Sequence, residues 1–422
     1  MKNLKIWKFG TNNDELVELV LSGKKTATTS FEDAEIPKVG EKSILTFENE
    51  KKACIVETKK VIITKLKDVT PEMAYLEGEG DRSLEYYKKS HVEYFKKINS
   101  NFNEESEIVF EIFEVVEDLR KIRLKTAEKV VRANEEIFGS NKHNITEIDA
   151  GFNNDLFDID GKFVIKICGN KKEAEFEKEA NFYKENYESK YIPKLYKYDN
   201  SKTIIDSVYE IIEKIDGQSV YYYWYKMNES ERDKLIKDLI SRIKQIHSKK
   251  KDGYNWAEKL KSQVKENFQK SEDLFSEKEK QIISKSLDLY DEILSDNKFV
   301  LIHNDLHFDN VLIDGKNQIK IIDFNDSMIA PFDYDFRLLY MCQDTPWKWA
   351  NSEMDPYQRK EDYVNIFEYI KKYYNELNNV RYLEKRMIIY RIVNDIRLFA
   401  RFKEEEEKNR IIEDSKKLLN ET

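Results

Sequence analysis

Apolar and polar positions alternate with two different periods along this chain, and the changes of period divide it. Within the first 118 residues, Leu16, Val17, Val20 and Leu21 form a helical stripe that starts at Asn13 or Asp14 and stops at Gly23. Strand-like runs follow at KSILTF (42–47), KACIVETKKVIIT (52–64) and SEIVFEIFEVVE (106–117). Between them, SLEYYKKSHVEYFKKI (83–98) has the spacing of an amphipathic helix. Residues 119–139 are charged and helical in pattern, which predicts a linker helix. From 144 the pattern changes to strand, turn, strand, turn, strand, then to a helix at 174–187 and a strand running into a turn at 207–217. From 218 the chain is mostly helical, broken by FVLIHNDLHFDNVLIDGKNQIKIIDF at 299–324. The expected class is α+β.

Length adds a domain count. The chain has 422 residues, and at roughly 100–200 residues per domain that means two or three domains. No apolar run reaches the roughly 20 residues of a membrane helix, so no membrane partner is expected. The opening MKNLKIWKFG lacks an apolar signal region, and Cys54, Cys168 and Cys342 are scattered. Both features fit a cytoplasmic protein with reduced thiols. A net charge of −9 argues against wholesale nucleic-acid binding, which needs phosphate neutralisation.

The interruption at 299–324 carries the chemistry. VLI (311–313) and QIKIIDF (318–324) flank the turn Asp314-Gly315-Lys316-Asn317, so they form a hairpin. Asp305, Asn310 and Asp323 stand at its strand ends. A hard cation such as Mg²⁺ takes oxygen ligands, and one or two protein groups suffice when phosphate oxygens complete the shell. Asn310 and Asp323 can supply them, and Asp305 can accept a proton from an attacking hydroxyl. Phosphoryl transfer needs these parts: a base, a metal and positioning.

The segment resembles the aminoglycoside phosphotransferase family, relatives of the protein kinases. The family loop H-G-D-x-x-x-x-N stands here as His303-Asn304-Asp305-Leu306-His307-Phe308-Asp309-Asn310, and its I-D-F as Ile322-Asp323-Phe324. Tyr334-Asp335-Phe336 matches a later family Y-D-L. Asn304 replaces the usual Gly, and Ala330-Pro331 stands where Gly-Asp is common. The resemblance implies a bilobal protein-kinase-like fold, with an N-lobe at 140–217 and a helical C-lobe at 218–422. It assigns Asp305 as base, Asn310 and Asp323 to Mg²⁺, and His303 and Asp335 to bracing the loop. It likens Gly151-Phe152-Asn153-Asn154 to a G-x-x-N nucleotide loop. Lys166 is implied to meet the α/β phosphates and a helix Glu, with Glu179 the best candidate and Glu175 or Glu177 next. The backbone at Glu213 and Ile215 is implied to hold adenine. ATP or GTP and Mg²⁺ are the implied cofactors. The acceptor is a small-molecule hydroxyl, on an aminoglycoside-like, macrolide-like or amino-alcohol compound, and antibiotic resistance is one role this allows.

Trp7-Lys8-Phe9-Gly10, SGKKTATTS (22–30) and YLEGEGDRSLEYY (75–87) resemble the ASCH domain, a small PUA-like β-barrel, over residues 1–118. The family's G-x-K-x-x-T reads here as Gly23, Lys25 and Thr28. Glu77, Glu79, Asp81 and Arg82 are candidates for the opposite wall of its pocket. The resemblance implies RNA or a nucleoside as partner. The alternative function is therefore an RNA- or nucleoside-binding protein, or a nucleoside amidohydrolase using Lys25, with the kinase-like part as nucleotide sensor.

Overall fold

The computed structural model describes residues 4–31, 36–148, 154–169, 173–248, 250–350 and 353–420. Backbone contacts divide the chain into two units. One comprises Met1–Asp160, Ile165–Asn170 and Ser201–Ser207, the other Gly161–Val164, Lys171–Asn200 and Val208–Thr422.

The first unit is built on β-branched and aromatic runs. Its elements are β1 (Lys5–Trp7), α1 (Asn13–Leu21), β2 (Ala27–Ser30), β3 (Lys42–Thr46), β4 (Lys52–Lys65), α2 (Pro71–Glu77), α3 (Leu84–Ile98) and β5 (Glu107–Asp118). The strands lie in the order β1-β3-β4-β5-β2. Only the β1–β3 pair is parallel. Register shifts at Ile55/Val56 and Thr58/Lys60 mark bulges in the long β4–β5 ladder. Bulges bend a strand and raise its twist, so β3 follows the first half of β4 while β2 joins β5 at Val109–Ile112. Val17, Val20, Leu45, Val56 and Phe113 pack with Trp7 and Phe9 in one apolar cluster. Tyr87, Phe95, Phe102 and Phe110 anchor another. The Ser83 hydroxyl caps α3 by accepting the Tyr86 N–H at 3.0 Å. The helix then buries Tyr87, His91 and Phe95, four residues apart.

The linker region is two helices, α4 (Leu119–Arg132) and α5 (Glu135–Phe138), rather than one. The break falls at Asn134, whose side-chain amide donates to the Val130 carbonyl at 2.7 Å. That is the carbonyl its own backbone N–H would use in a continuing helix, and such competition ends helices. The unit continues into the antiparallel hairpin β6 (Ile145–Ile148) and β7 (Asp155–Ile159). The division between units passes through β8 (Phe163–Ile167).

The second unit contains α6 (Glu173–Glu185) and an antiparallel pair, β9 (Leu195–Asp199) with β10 (Tyr209–Glu213). β10 is the strand of the expected strand-into-turn at 207–217, and β11 (Gly217–Ser219) belongs to another sheet. Two helices, α7 (Tyr221–Trp224) and α8 (Glu229–Ile246), open the helical part. The remaining strands are β12 (Phe299–Ile302), β13 (Val311–Asp314), β14 (Ile319–Ile321) and β15 (Met328–Pro331). β13 and β14 form the expected hairpin, with β11 on its edge. A Cβ at Gly217 would lie 2.7 Å from the Ile313 carbonyl oxygen, so this edge demands glycine. β12 pairs with β15 instead, so the chain leaves this pair at His303, makes the hairpin, and rejoins it after Asp323.

The helix Leu383–Phe402 runs through the core of this unit with Arg386, Arg391, Asn394 and Asp395 all buried. Buried charges need partners. Arg386 makes two bonds to Asp333, at 2.7 and 2.9 Å, and the Tyr390 hydroxyl donates to the same carboxylate at 2.8 Å. Arg391 pairs with Asp414 and Asp344. Among the described residues, no helix is long and apolar enough to cross a membrane.

Removing one member of such a pair strands its partner. Arg386→Met is expected to cost about 3–5 kcal/mol, read as a lowered midpoint in urea unfolding. An unchanged midpoint would show that Asp333 is not held by this arginine.

Candidate functional site

His303 is the first residue after β12, where strand pairing stops and the backbone must find other partners. Asp335 supplies them. Its carboxylate accepts the His303 N–H at 3.1 Å and the Asn304 N–H at 2.7 Å. His247 Nε2 lies 2.9 Å from the same group, and His247 Nδ1 meets the Tyr374 hydroxyl at 3.1 Å. Asp335 is fully buried. Burial opposes its charge, but His247, His303 and the Asn304 N–H outweigh that and hold its carboxyl below the usual range. Asn304 is left-handed, with φ 68°, a conformation asparagine tolerates better than most residues. Arg337 donates to its carbonyl at 2.7 Å, and the Asn304 amide donates to the Asp326 carbonyl at 3.0 Å. His303 turns its ring back to the Ile322 carbonyl, at 2.9 Å.

The loop delivers Asp305 and Asn310 to one place. Asn310 Nδ2 donates to the Asp305 carboxylate at 3.1 Å and to its carbonyl at 2.9 Å. His307 Nε2 stands 3.5 Å from Asp305 Oδ2. The Asp305 side chain is 37% exposed, so it can meet a substrate. Burial works against its ionised form, yet His307, His303 and Arg337 keep its carboxyl well below the usual range. With its amide nitrogen committed to Asp305, Asn310 has Oδ1 as its ligating atom. The Ile322 N–H bonds the Asn310 carbonyl at 3.0 Å, and Asp323 follows, exposed and left-handed at φ 62°. Asn325 Nδ2 donates to Asp323 Oδ1 at 2.9 Å. An amide oxygen and a carboxylate fit a Mg²⁺ that completes its shell with phosphate oxygens and water. No group of three or more His, Cys, Asp or Glu is placed to hold a metal among the described residues.

Glu179 is buried on α6, where it accepts the Tyr183 hydroxyl at 2.8 Å and the Phe324 N–H at 3.3 Å, directly after Asp323. Phe182 stacks on Phe324 with centroids 3.9 Å apart, a second tie between α6 and this strand end. The Glu213 and Lys214 N–H groups donate to the Lys194 and Lys162 carbonyls. Ile215 follows in the coil between β10 and β11. Lys166 is buried on β8, in the segment that groups with the first unit. Asn154 Oδ1 accepts the Gly169 N–H at 3.3 Å. Gly151 lies outside the described residues. Glu175 and Glu177 lie on α6 with Glu179, but only Glu179 is buried.

The first unit holds a cavity of about 540 Å³ between its sheet and α3. Thr28, Glu77 and Glu79 line it with Glu41, Glu111 and His91. Lys25 stands behind that wall with no exposed surface, bonded to Glu79 at 2.6 Å and Glu77 at 3.2 Å. Glu77 also receives the Thr29 hydroxyl at 3.1 Å and lies 3.4 Å from His91 Nε2. Burial disfavours its charge, but Lys25 and His91 hold its carboxyl below the usual range. Arg82 is not in the cavity wall: it lies over the Tyr75 ring, 4.9 Å from the centroid. Gly78, at φ 78°, lets the Glu77–Glu79 turn approach Lys25, since a Cβ there would sit 2.3 Å from the Lys24 carbonyl oxygen.

Sequence reasoning missed His247, Arg337, Thr29 and His91. Only scarcity hinted at the first: the chain has five histidines, and His247, His303 and His307 gather around Asp335 and Asp305.

This loop, hairpin and paired acids define a kinase-like phosphotransferase site. The model of the phosphotransferase enzyme family matches residues 144–362, just over half of the chain, and the chain belongs to that family. The ASCH domain model matches residues 5–117. Among solved structures, the GDP and kanamycin complex of APH(2")-IIia is similar at 14% identity, covering 70% of this chain and 98% of that one with a TM-score of 0.51. The ADP-bound aminoglycoside phosphotransferase APH(2'')-Ib gives 21% identity, 69% and 96% coverage and a TM-score of 0.48. An ASCH domain from Lactobacillus crispatus JV V101 gives 28% identity, 27% and 80% coverage and a TM-score of 0.26. No curated protein matches the chain.

Asp335 makes a pH prediction. Its folded pKa is depressed, so its contribution is complete above the unfolded value of about 3.9 and is lost as pH falls through the folded value. Asp335→Asn is expected to lower stability by about 3 kcal/mol at pH 7. The gap to the parent protein should narrow at lower pH as the parent loses its own carboxylate. Urea unfolding at pH 7, 4 and 3 measures the gap, and a constant difference would refute the assignment.

Proposed function

We propose that the protein moves the γ-phosphoryl group of ATP or GTP to a hydroxyl of a small molecule, with Mg²⁺. The observation that carries this reading is the grouping of Asp305, Asn310 and Asp323 at one end of a hairpin, with Asp305 partly open to solvent.

The acceptor hydroxyl donates to Asp305, which orients its oxygen towards the γ-phosphorus. As the new O–P bond forms, the bond to the β–γ bridging oxygen breaks and the nucleoside diphosphate leaves. The hydroxyl proton passes to Asp305. The proton moves late. That suits a loose transition state, in which the nucleophile keeps its proton until bond formation is advanced. Mg²⁺ held by Asn310 Oδ1 and Asp323 would neutralise charge on the phosphates. Lys166 and Glu179 are assigned to the nucleotide side, and the backbone at Glu213 and Ile215 to the base. Trp349, whose ring centroid is 6.4 Å from that of His307, is assigned to the acceptor side. Its buried indole N–H has no partner among the described residues.

A second reading belongs to the ASCH cavity. Its size suits one nucleoside-sized molecule. Four carboxylates, Glu41, Glu77, Glu79 and Glu111, outnumber the two lysines, Lys5 and Lys8, in its lining and oppose a phosphate chain. A nucleoside or an amine-bearing compound therefore has more support than RNA. Hydrolysis through Lys25 has little, because a nucleophilic amine must be neutral and reachable, and this one is enclosed by two carboxylates.

The test is phosphate transfer from ATP and from GTP to a panel of aminoglycosides, macrolides, amino alcohols and nucleosides. Asp305→Ala is expected to lower the rate about 10²–10⁴-fold while nucleotide still binds. A variant as active as the parent would remove Asp305 from the mechanism.

A further inference from the structure

The helix α4 grows directly out of the ASCH sheet. Asp118 ends β5, and its carboxylate accepts the Lys121 N–H at 3.1 Å to start the helix. One helical turn on, Arg123 faces two places at once. Its Nη1 donates to the Lys52 carbonyl, at the start of β4, at 2.7 Å. Its Nε and Nη2 fork onto the Glu147 carboxylate of β6 at 2.6 and 3.4 Å. Its Nε also lies 3.6 Å from the Asp155 carboxylate of β7. Lys51, beside Lys52, adds a second cation to Glu147 at 2.9 Å. The Arg123 and Lys51 side chains are only 12% and 14% exposed, so these ion pairs are screened far less than surface ones.

Glu147 and Asp155 stand at the turn end of the β6–β7 hairpin, one near the end of β6 and the other at the start of β7. Glu147 pairs with Phe157 in register, so Asp155, two residues away, is its diagonal neighbour on one face. Two carboxylates there repel each other, and they repel a polyphosphate as well. Burial raises the Asp155 carboxyl, with Glu147 adding to it, against Arg123 and Lys51. Glu147 is held below its usual range despite burial, because Arg123 and Lys51 bond it. One guanidinium thus bridges both carboxylates and the start of the central ASCH strand β4, within a single unit.

We propose that Arg123, supported by Lys51, is a positioning residue for nucleotide binding: it fastens the β6–β7 hairpin to the ASCH domain and cancels the charge of the two acids at the hairpin's turn end. This rests on the reading that the hairpin serves the nucleotide. It makes the ASCH domain a structural part of the phosphotransferase rather than a detachable accessory.

The experiment uses the full chain and measures ATP and GTP binding by calorimetry, and KM and kcat where an acceptor is known. Arg123→Met is expected to weaken nucleotide binding about 10-fold or more, as a rise in KM with kcat within about threefold of the parent. Arg123→Lys should recover part of the loss, since it keeps the charge without the fork. Adding Glu147→Gln and Asp155→Asn to Arg123→Met should recover more, because the repelling charges are gone. Glu147→Gln alone is a near-isosteric control that keeps its fold if Arg123→Met does not, and it should weaken nucleotide binding about threefold to 10-fold. Unchanged nucleotide affinity in Arg123→Met, or in Glu147→Gln where the former does not fold, would overturn the assignment and leave the phosphotransferase reading intact. If the parent protein binds neither ATP nor GTP, both fall.

Discussion

The loop after β12 has its shape because one buried carboxylate completes its backbone. Past Ile302 the strand ladder ends, yet the chain stays inside the protein. Two consecutive N–H groups, of His303 and Asn304, would be orphaned without Asp335. Unpaired buried N–H groups cost about 1–3 kcal/mol each, and burying a carboxylate alone costs more. Each cancels the other's penalty here, and His247 adds a third donor. The left-handed turn at Asn304 then points Asp305 outward, and Arg337 fixes that turn from its carbonyl side. If Asp335 moves, Asp305 and Asn310 move with it.

A neighbouring residue does a different job with the same chemistry. Asp333 and Asp335 lie in one short 3₁₀ segment, Phe332–Phe336. Asp335 turns to the loop, while Asp333 turns to Arg386 and Tyr390 of the long core helix. The segment therefore ties the loop to the core helix through two buried acids. That rigidity matters for transfer chemistry, where placement of the hydroxyl and the phosphates supplies most of the acceleration.

What the sequence made legible was local. The D-x-x-x-x-N spacing, the Asp314–Asn317 turn and the helix led by Ser83 depend on residues within a few positions of each other, and they read directly. The helix after Leu119 was legible as a helix but not in its length, because Asn134 ends it through a single side-chain bond. Long-range choices left no mark. Nothing in QIHSKK says that His247 reaches Asp335, 88 positions on. Nothing in the charged run after Leu119 sets Arg123 apart from its neighbours, although it alone forks onto Glu147. Pairing of β12 with β15 instead of the hairpin was equally invisible, since short apolar runs do not name their partners. Arg82 was assigned to the pocket by proximity in sequence, and a left-handed backbone at φ 63° with a Tyr75 contact takes it elsewhere.

Exposure separates the acids by purpose. Asp333, Asp335, Glu77 and Glu179 have almost no surface, and each is satisfied by several donors or cations. They hold backbone and side chains in place, and Glu77 also forms part of the ASCH cavity wall. Asp305 and Asp323 are open to solvent, yet their surroundings are as ordered: Asn310 and His307 fix the first, Asn325 the second. Keeping a carboxylate exposed while restraining it with neighbouring donors gives a group that is oriented before substrate arrives and still accessible to it. The ASCH cavity follows the same rule with the sides exchanged. Lys25 is buried behind the wall, and four carboxylates outnumber the two lysines, Lys5 and Lys8, that line it.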